Sequence, residues 1–166
     1  MRHAIGGLLA TLAESIGIFA PNANSYRRFQ ARSYAPVSRT WGVNNRSVAV
    51  RVPTGAPETR HLEHRVAGAD ANPYLAVAAV LAGIHKGIVD RLDPGPTVEG
   101  DGYAQASAGI PEDWPDALRR LRESSFLEAY LGGRFVDIYH AIKTTECRRF
   151  SARVTELDLD WYLTRV

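Results

Sequence analysis

Eight arginines fall between Asn22 and Arg65, at positions 27, 28, 32, 39, 46, 51, 60 and 65, with no lysine and with Glu58 and Glu63 as the only carboxylates. A guanidinium is a planar fork of five donors that grips carboxylate and phosphate through paired hydrogen bonds, whereas an ammonium is a point charge. Several arginines converging beside one glutamate would make a site for anionic substrates and a metal. The same composition also describes a solvated basic face, since charged side chains sit mostly on surfaces. Residues 61–66 alternate as a strand does, which puts Glu63 and Arg65 on one face, about 7 Å apart along it. They serve one site there, or they form a salt bridge on an exposed strand. His61 shares that face, where it touches the site or is simply packed or solvated.

The elements that must hold these residues are legible in outline. Apolar positions at Ile5, Leu8, Leu9, Leu12, Ile16 and Ile18 predict an amphipathic helix over residues 3–19, ended by Pro21 and Asn22. Arg27 and Arg28 follow in a loop, too close together for both to reach one point, so one of them is structural. Residues 46–53 alternate, with Val48, Val50 and Val52 on one side and Arg51 on the other. Arg46 and Arg51 would lie on opposite faces of a regular strand, so Arg46 precedes the strand or a bulge intervenes. Residues 54–57 read as a turn. Asn72-Pro73 is a helix start, and the apolar run from Tyr74 to Ile84 predicts a helix buried on most faces. The Pro-, Gly- and Asp-rich residues 93–107 predict a loop. Helices are expected over 116–123, 125–131 and from Arg134 to about Val154, with a stop at Gly132-Gly133. The fold class expected is α+β: a helix, a short antiparallel sheet centred on residues 46–66, and a mostly helical C-terminal half.

Composition sets the outer bounds. A chain of 166 residues with 45% hydrophobic content has the length of one domain and can bury a sizeable core. No repeat, low-complexity segment or composition shift marks a second domain. The net charge is +2, and all but two of the 20 basic residues are arginine, which speaks for local recognition and against a nucleic-acid partner. Cys147 is the only cysteine, so neither an internal disulfide nor a cysteine-based zinc site can form, and a reducing cytoplasm is expected. Glu14 and Ser15 interrupt the apolar run from Ile5 to Ala20, which is too polar to span a bilayer, and no targeting segment is read.

The wording of the arginine stretch goes further. Asn-Ser-Tyr-Arg-Arg at 24–28, Ala35-Pro36, Trp41-Gly42, Asn45-Arg46-Ser47, Arg51-Val52-Pro53, Glu63-His64-Arg65 and Ala71-Asn72-Pro73-Tyr74-Leu75 occur in that order over about fifty residues. This series resembles the catalytic domain of the glutamine synthetase family. Looser agreement extends from His3-Ala4-Ile5-Gly6-Gly7 to the C-terminal helices, so the resemblance covers residues 1–166. It implies part of the catalytic domain, without its first half and without the family's N-terminal β-grasp domain. It also implies an ATP-dependent ligase that makes a γ-glutamyl amide from glutamate and an amine through γ-glutamyl phosphate, with Mg2+ or Mn2+, acting as a homo-oligomer when full length. Carried over by position, Glu63 falls on a metal ligand, Arg28 and Arg65 on substrate-binding arginines, and Arg46 on the catalytic arginine near the transferring phosphate. Arg46, Arg51 and Arg60 fall on ATP contacts. One glutamate cannot satisfy a cation that wants about six oxygens, so the chain alone is expected to be inactive.

Tyr34 departs from glutamine synthetases proper, which carry a glutamate immediately before Ala-Pro that helps deprotonate ammonium. A phenol is a poor base at neutral pH, but its ring suits an alkyl chain or an ammonium. Gly-Asp-Gly-Tyr at 100–103, Leu131-Gly132, Lys143-x-x-Glu146 and Trp161-Tyr162-Leu163 also resemble the γ-glutamylpolyamine synthetase branch, which implies a polyamine acceptor. Two alternatives stay open: an ammonia-using glutamine synthetase, and a non-catalytic remnant that binds anions or a partner through the same arginines.

Overall fold

A helix with apolar residues on nearly every side must be surrounded, and this determines the architecture. α1 (Arg2–Phe19) buries Ile5, Leu8, Leu12, Ile16 and Ile18 and leaves only Arg2, His3 and Ala10 exposed, so it is a central helix, where the spacing predicted an amphipathic one. The computed structural model describes residues 1–104 and 109–164. After α1 come α2 (Ala23–Tyr26), β1 (Trp41–Val43), β2 (Val50–Val52) and β3 (Glu63–His64), then α3 (Pro73–Val89), α4 (Trp114–Glu123), α5 (Ser125–Leu131), α6 (Gly133–Ser151) and α7 (Glu156–Tyr162). α1 packs on α3, α4, α5 and β2. Its one partly buried carboxylate, Glu14, accepts a hydrogen bond from Ser124, which also caps α5 by accepting from the Leu127 amide at 3.0 Å. The class is α+β, as predicted.

α3 starts where the sequence indicates, with the Asn72 side chain accepting from the amides of Tyr74 and Leu75 and with Pro73 in the first turn. The expectation that it is buried on most faces is not met. Its covered residues are Ala79, Ala82, Gly83 and Gly87, while Tyr74, Val77, Leu81, Ile88 and Val89 are exposed. The reason is the closeness of α1: a Cβ on Gly7 would lie 2.0 Å from the Gly83 carbonyl oxygen, and one on Gly87 would lie 2.1 Å from that of His3. Only small residues fit such a seam, so Leu75, Val80 and Ile84 pack half-buried on the core beside it and the other large residues face outward.

The sheet is three-stranded and mixed. β2 and β3 are antiparallel, as expected, with Arg51 opposite Glu63, but β1 adds to the other edge of β2 in parallel, so the sheet is not the purely antiparallel one expected. β2 begins later than expected, because residues 46–49 form a bend in which Val48 and Ala49 are both buried. Arg46 therefore precedes the strand. The expected 93–107 loop is irregular with a 3-10 turn at Gly102–Ala104; its residues 105–107 lie outside the described residues. α6 stops at Ser151, and a separate α7 follows because Thr155 and Asp158 form a capping box.

Candidate active site

Arg51 and Glu63 are directly opposed across β2 and β3, where Cβ atoms of facing residues lie about 5 Å apart. Arg51 Nη1 donates to Glu63 Oε2 at 2.7 Å, and Arg65 Nη1 donates to Oε1 of the same carboxylate. Both oxygens are thus held by guanidinium groups. Arg51 and Arg65 are mostly buried, and the glutamate side chain keeps 34% of its exposure. Partial burial pushes the Glu63 carboxyl up, but hydrogen bonds and charge from Arg51 and Arg65 outweigh it and hold the group below the usual glutamate range. Arg65 Nη2 donates to the Tyr34 carbonyl at 3.2 Å, and Arg51 Nη2 donates to Asn44 Oδ1. Glu63 and Arg65 share a face, as the strand reading requires. His61 lies before β3, exposed, with Nδ1 2.8 Å from the Thr59 carbonyl oxygen.

Among the described residues, Glu63 has ion pairs with Arg51 and Arg65 only. Arg28, in the turn after α2, reaches the chain just past β3: its Nη2 donates to the Val66 carbonyl, and its guanidinium lies 4.9 Å from the Phe29 ring centre. Burial pushes its pKa down, and Asp70 opposes the shift. Arg27 is exposed at the other side of the turn, where Nη1 reaches Asn24 at 3.5 Å. Arg46 is exposed and lines two cavities. One, of about 620 Å³, includes Asn44, Thr97 and Glu99; the other, of about 440 Å³, includes Arg32, Tyr34, Asp101 and Tyr103. Arg60 follows the Pro57–Thr59 turn and lines a third cavity of about 480 Å³, walled by Ile5, Trp41, Val52 and Val43, the last of which also lines the first cavity.

Several residues that hold this geometry were given no role by sequence reasoning, although Asn45, Ser47 and Tyr103 belong to motifs named above. Asn45 Nδ2 donates to the carbonyls of Val98 and Gly100, and its Oδ1 accepts from the Ser47 amide and hydroxyl. Ser47 Oγ in turn accepts from the Gly102 amide at 2.8 Å. Within Asn45-Arg46-Ser47 the flanking residues are therefore braces, and the arginine between them is left pointing outward. Tyr103 donates its hydroxyl to the Ala35 carbonyl at 2.9 Å, tying the same loop to the residue after Tyr34. Asp70 Oδ2 accepts from Ser25 Oγ at 2.6 Å and Asn22 Nδ2 at 2.9 Å, fastening the α2 turn that carries Arg28 to the loop before α3. Apart from the Asn45–Ser47 turn, these bonds join residues 45 to 68 apart, and no short-range pattern points to them.

As a cation site the arrangement is incomplete. Among the described residues no three His, Cys, Asp or Glu side chains cluster, and Glu63 offers one carboxylate to an ion that wants about six oxygens.

The family model described as "Glutamine synthetase, catalytic domain" matches residues 1–162. The chain belongs to this family. It is 42% identical over 163 residues to gamma-glutamylputrescine synthetase of Escherichia coli K12, covering 98% of this chain and 34% of that protein. It is 39% identical over 166 residues to gamma-glutamylethanolamide synthetase of Streptomyces coelicolor, covering 99% and 35%. Among solved structures it is similar to GmaS without ligand, with a TM-score of 0.85 and 29% identity over 98% of this chain and 38% of that one. The glutamine synthetase match contains every site residue discussed above. The chain spans about a third of the length of the curated relatives it matches. Among the described residues no helix is long and apolar enough to cross a membrane.

Proposed function

We propose that this chain is the C-terminal part of an ATP-dependent glutamate–amine ligase that forms a γ-glutamyl amide through γ-glutamyl phosphate, with a polyamine as acceptor. The observation that carries the reading is the Glu63 carboxylate held on both oxygens by Arg51 and Arg65, at the family's Glu-x-Arg. Arg28 and Arg65 would hold the substrate glutamate, and Arg51 and Arg60 the nucleotide. The position of Arg46 supports a role at the transferring phosphoryl group, because it borders both the cavity next to Tyr34 and the cavity next to Asn44, the partner of Arg51. A cation at the transition state adds charge stabilisation where phosphoryl charge develops. Glu63 would contribute one oxygen to Mg2+ or Mn2+, and the remaining ligands must come from outside this chain. The chain alone is then inactive, and the full-length enzyme works as a homo-oligomer in the cytoplasm.

Tyr34 is 68% exposed and sits at φ +58°, with its carbonyl on Arg65, so its ring is free to meet an incoming amine. An aromatic face over a cation contributes about 0.5–2 kcal/mol, enough to bias amine choice several-fold. The test is a full-length protein carrying this segment, given ATP, glutamate and competing amines, with phosphate release as the readout. Putrescine-like diamines should outpace ammonium at equal concentration, and Tyr34→Glu should move the ratio toward ammonium. Faster release with ammonium in the unmutated enzyme would assign the chain to glutamine synthetase proper.

A further inference from the structure

We infer that Asn44 positions Arg51 for an anionic ligand, which rests on reading Arg51 as a phosphate contact. Asn44 directly follows β1 in the left-handed region, at φ +50°. Its amide donates to the Val52 carbonyl at 2.9 Å, so its backbone is tied to the strand that carries Arg51. Its side-chain oxygen accepts Nη2 of Arg51 while Glu63 accepts Nη1. A guanidinium held at one nitrogen can turn; held at both, its plane is fixed.

Few residue types could do this. Left-handed backbone favours Gly, Asn and Asp. Glycine has no acceptor, and aspartate would place a second carboxylate on Arg51 in competition with the ligand. Asparagine gives an acceptor without charge, so Arg51 keeps its full attraction for an anion. Asn44 and Arg46 also line the same cavity, on either side of the brace Asn45, so the residue that orients Arg51 stands in the wall of a space Arg46 already borders.

The experiment compares the 166-residue chain with Asn44→Gly, Asn44→Asp and Arg51→Gln by NMR of the arginine guanidinium groups and by calorimetric titration with inorganic pyrophosphate. The chain should show resolved, slowly rotating Nη signals for Arg51. Asn44→Gly should collapse them while lowering the melting temperature by only about 2–4 °C, the cost of one side-chain hydrogen bond, because glycine tolerates the backbone angle, and should weaken pyrophosphate binding by about tenfold. Asn44→Asp should keep the signals resolved and still weaken binding. Resolved Arg51 signals in Asn44→Gly would overturn the inference. If pyrophosphate does not bind, or Arg51→Gln binds it as well as the unmutated chain, the phosphate reading of Arg51 fails instead, and the inference that rests on it falls even with ordered Arg51 signals.

Discussion

Acidification should destabilise this protein through one histidine. His64 lies on β3 between Glu63 and Arg65 with its ring packed 4.4 Å from that of Phe19, and its Nε2 is buried without a partner. Burial pushes its pKa down from 6.5 to about 4. Because the folded pKa is the lower one, the unfolded chain takes up a proton first as pH falls. Stability is therefore complete above about pH 7, declines through the ordinary histidine range, and stops declining near the folded value. A shift of roughly 2.5 units corresponds to about 3 kcal/mol in full, of which about 2 kcal/mol is lost between pH 7 and pH 5. Urea denaturation at a series of pH values measures this directly, and His64→Phe, which preserves the ring contact with Phe19, supplies the reference. The unmutated chain should lose about 2 kcal/mol more than His64→Phe over that interval. Parallel stability curves for the two proteins would refute the reasoning.

Asp70→Ala removes the acceptor for Ser25 and Asn22, and since Asp70 is itself exposed the cost is about 1 kcal/mol, read as a melting temperature lower by about 2–4 °C. The Asp70 carboxyl, pushed up by burial but held down overall by those bonds and by Arg28, should make that contribution above the ordinary aspartate range and lose it as pH falls below about 4. Gly87→Ala should be far more damaging, by about 3 kcal/mol or outright misfolding in a thermal melt, because the new methyl meets the backbones of His3 and Gly7, which cannot move aside. In the full-length enzyme, Glu63→Gln should lower kcat with little change in KM for glutamate, since the charge it serves grows toward the transition state; unchanged turnover would remove Glu63 from the metal site.

Local chemistry made the helices readable. Asn72-Pro73 announces α3 and the Gly132-Gly133 pair closes α5, because caps and stops act within a turn. The burial of those helices was harder to read: α3 has the composition of a core helix, yet the residues it buries fully are alanines and glycines, and Leu75, Val80 and Ile84 are only half-buried. β1 escaped notice because Trp-Gly-Val is too short to alternate and exists through its pairing with β2. At the candidate site, the shared face of Glu63 and Arg65 was legible from strand period, whereas Arg51 entered only through the family resemblance. Their companions Asn44, Asn45, Ser47, Asp70 and Tyr103 were not, because each acts through a partner whose position only the folded chain defines.

That division has a physical consequence. The strands at the site are two or three residues long, so main-chain pairing contributes few of the bonds that hold it. The geometry instead depends on side chains reaching main-chain atoms: Asn45 on Val98 and Gly100, Ser47 on Gly102, Tyr103 on Ala35, Arg65 on Tyr34 and Arg28 on Val66. Losing one such bond costs about 1 kcal/mol of stability, a small share for a folded domain. The same loss releases an arginine whose use depends on the direction of its fork, and a misplacement of about 1 Å can cost a hundredfold in rate. Polar substitutions around Arg46 and Arg51 should therefore change ligand binding well before they change folding. Substitutions in the α1–α3 glycine seam should do the reverse.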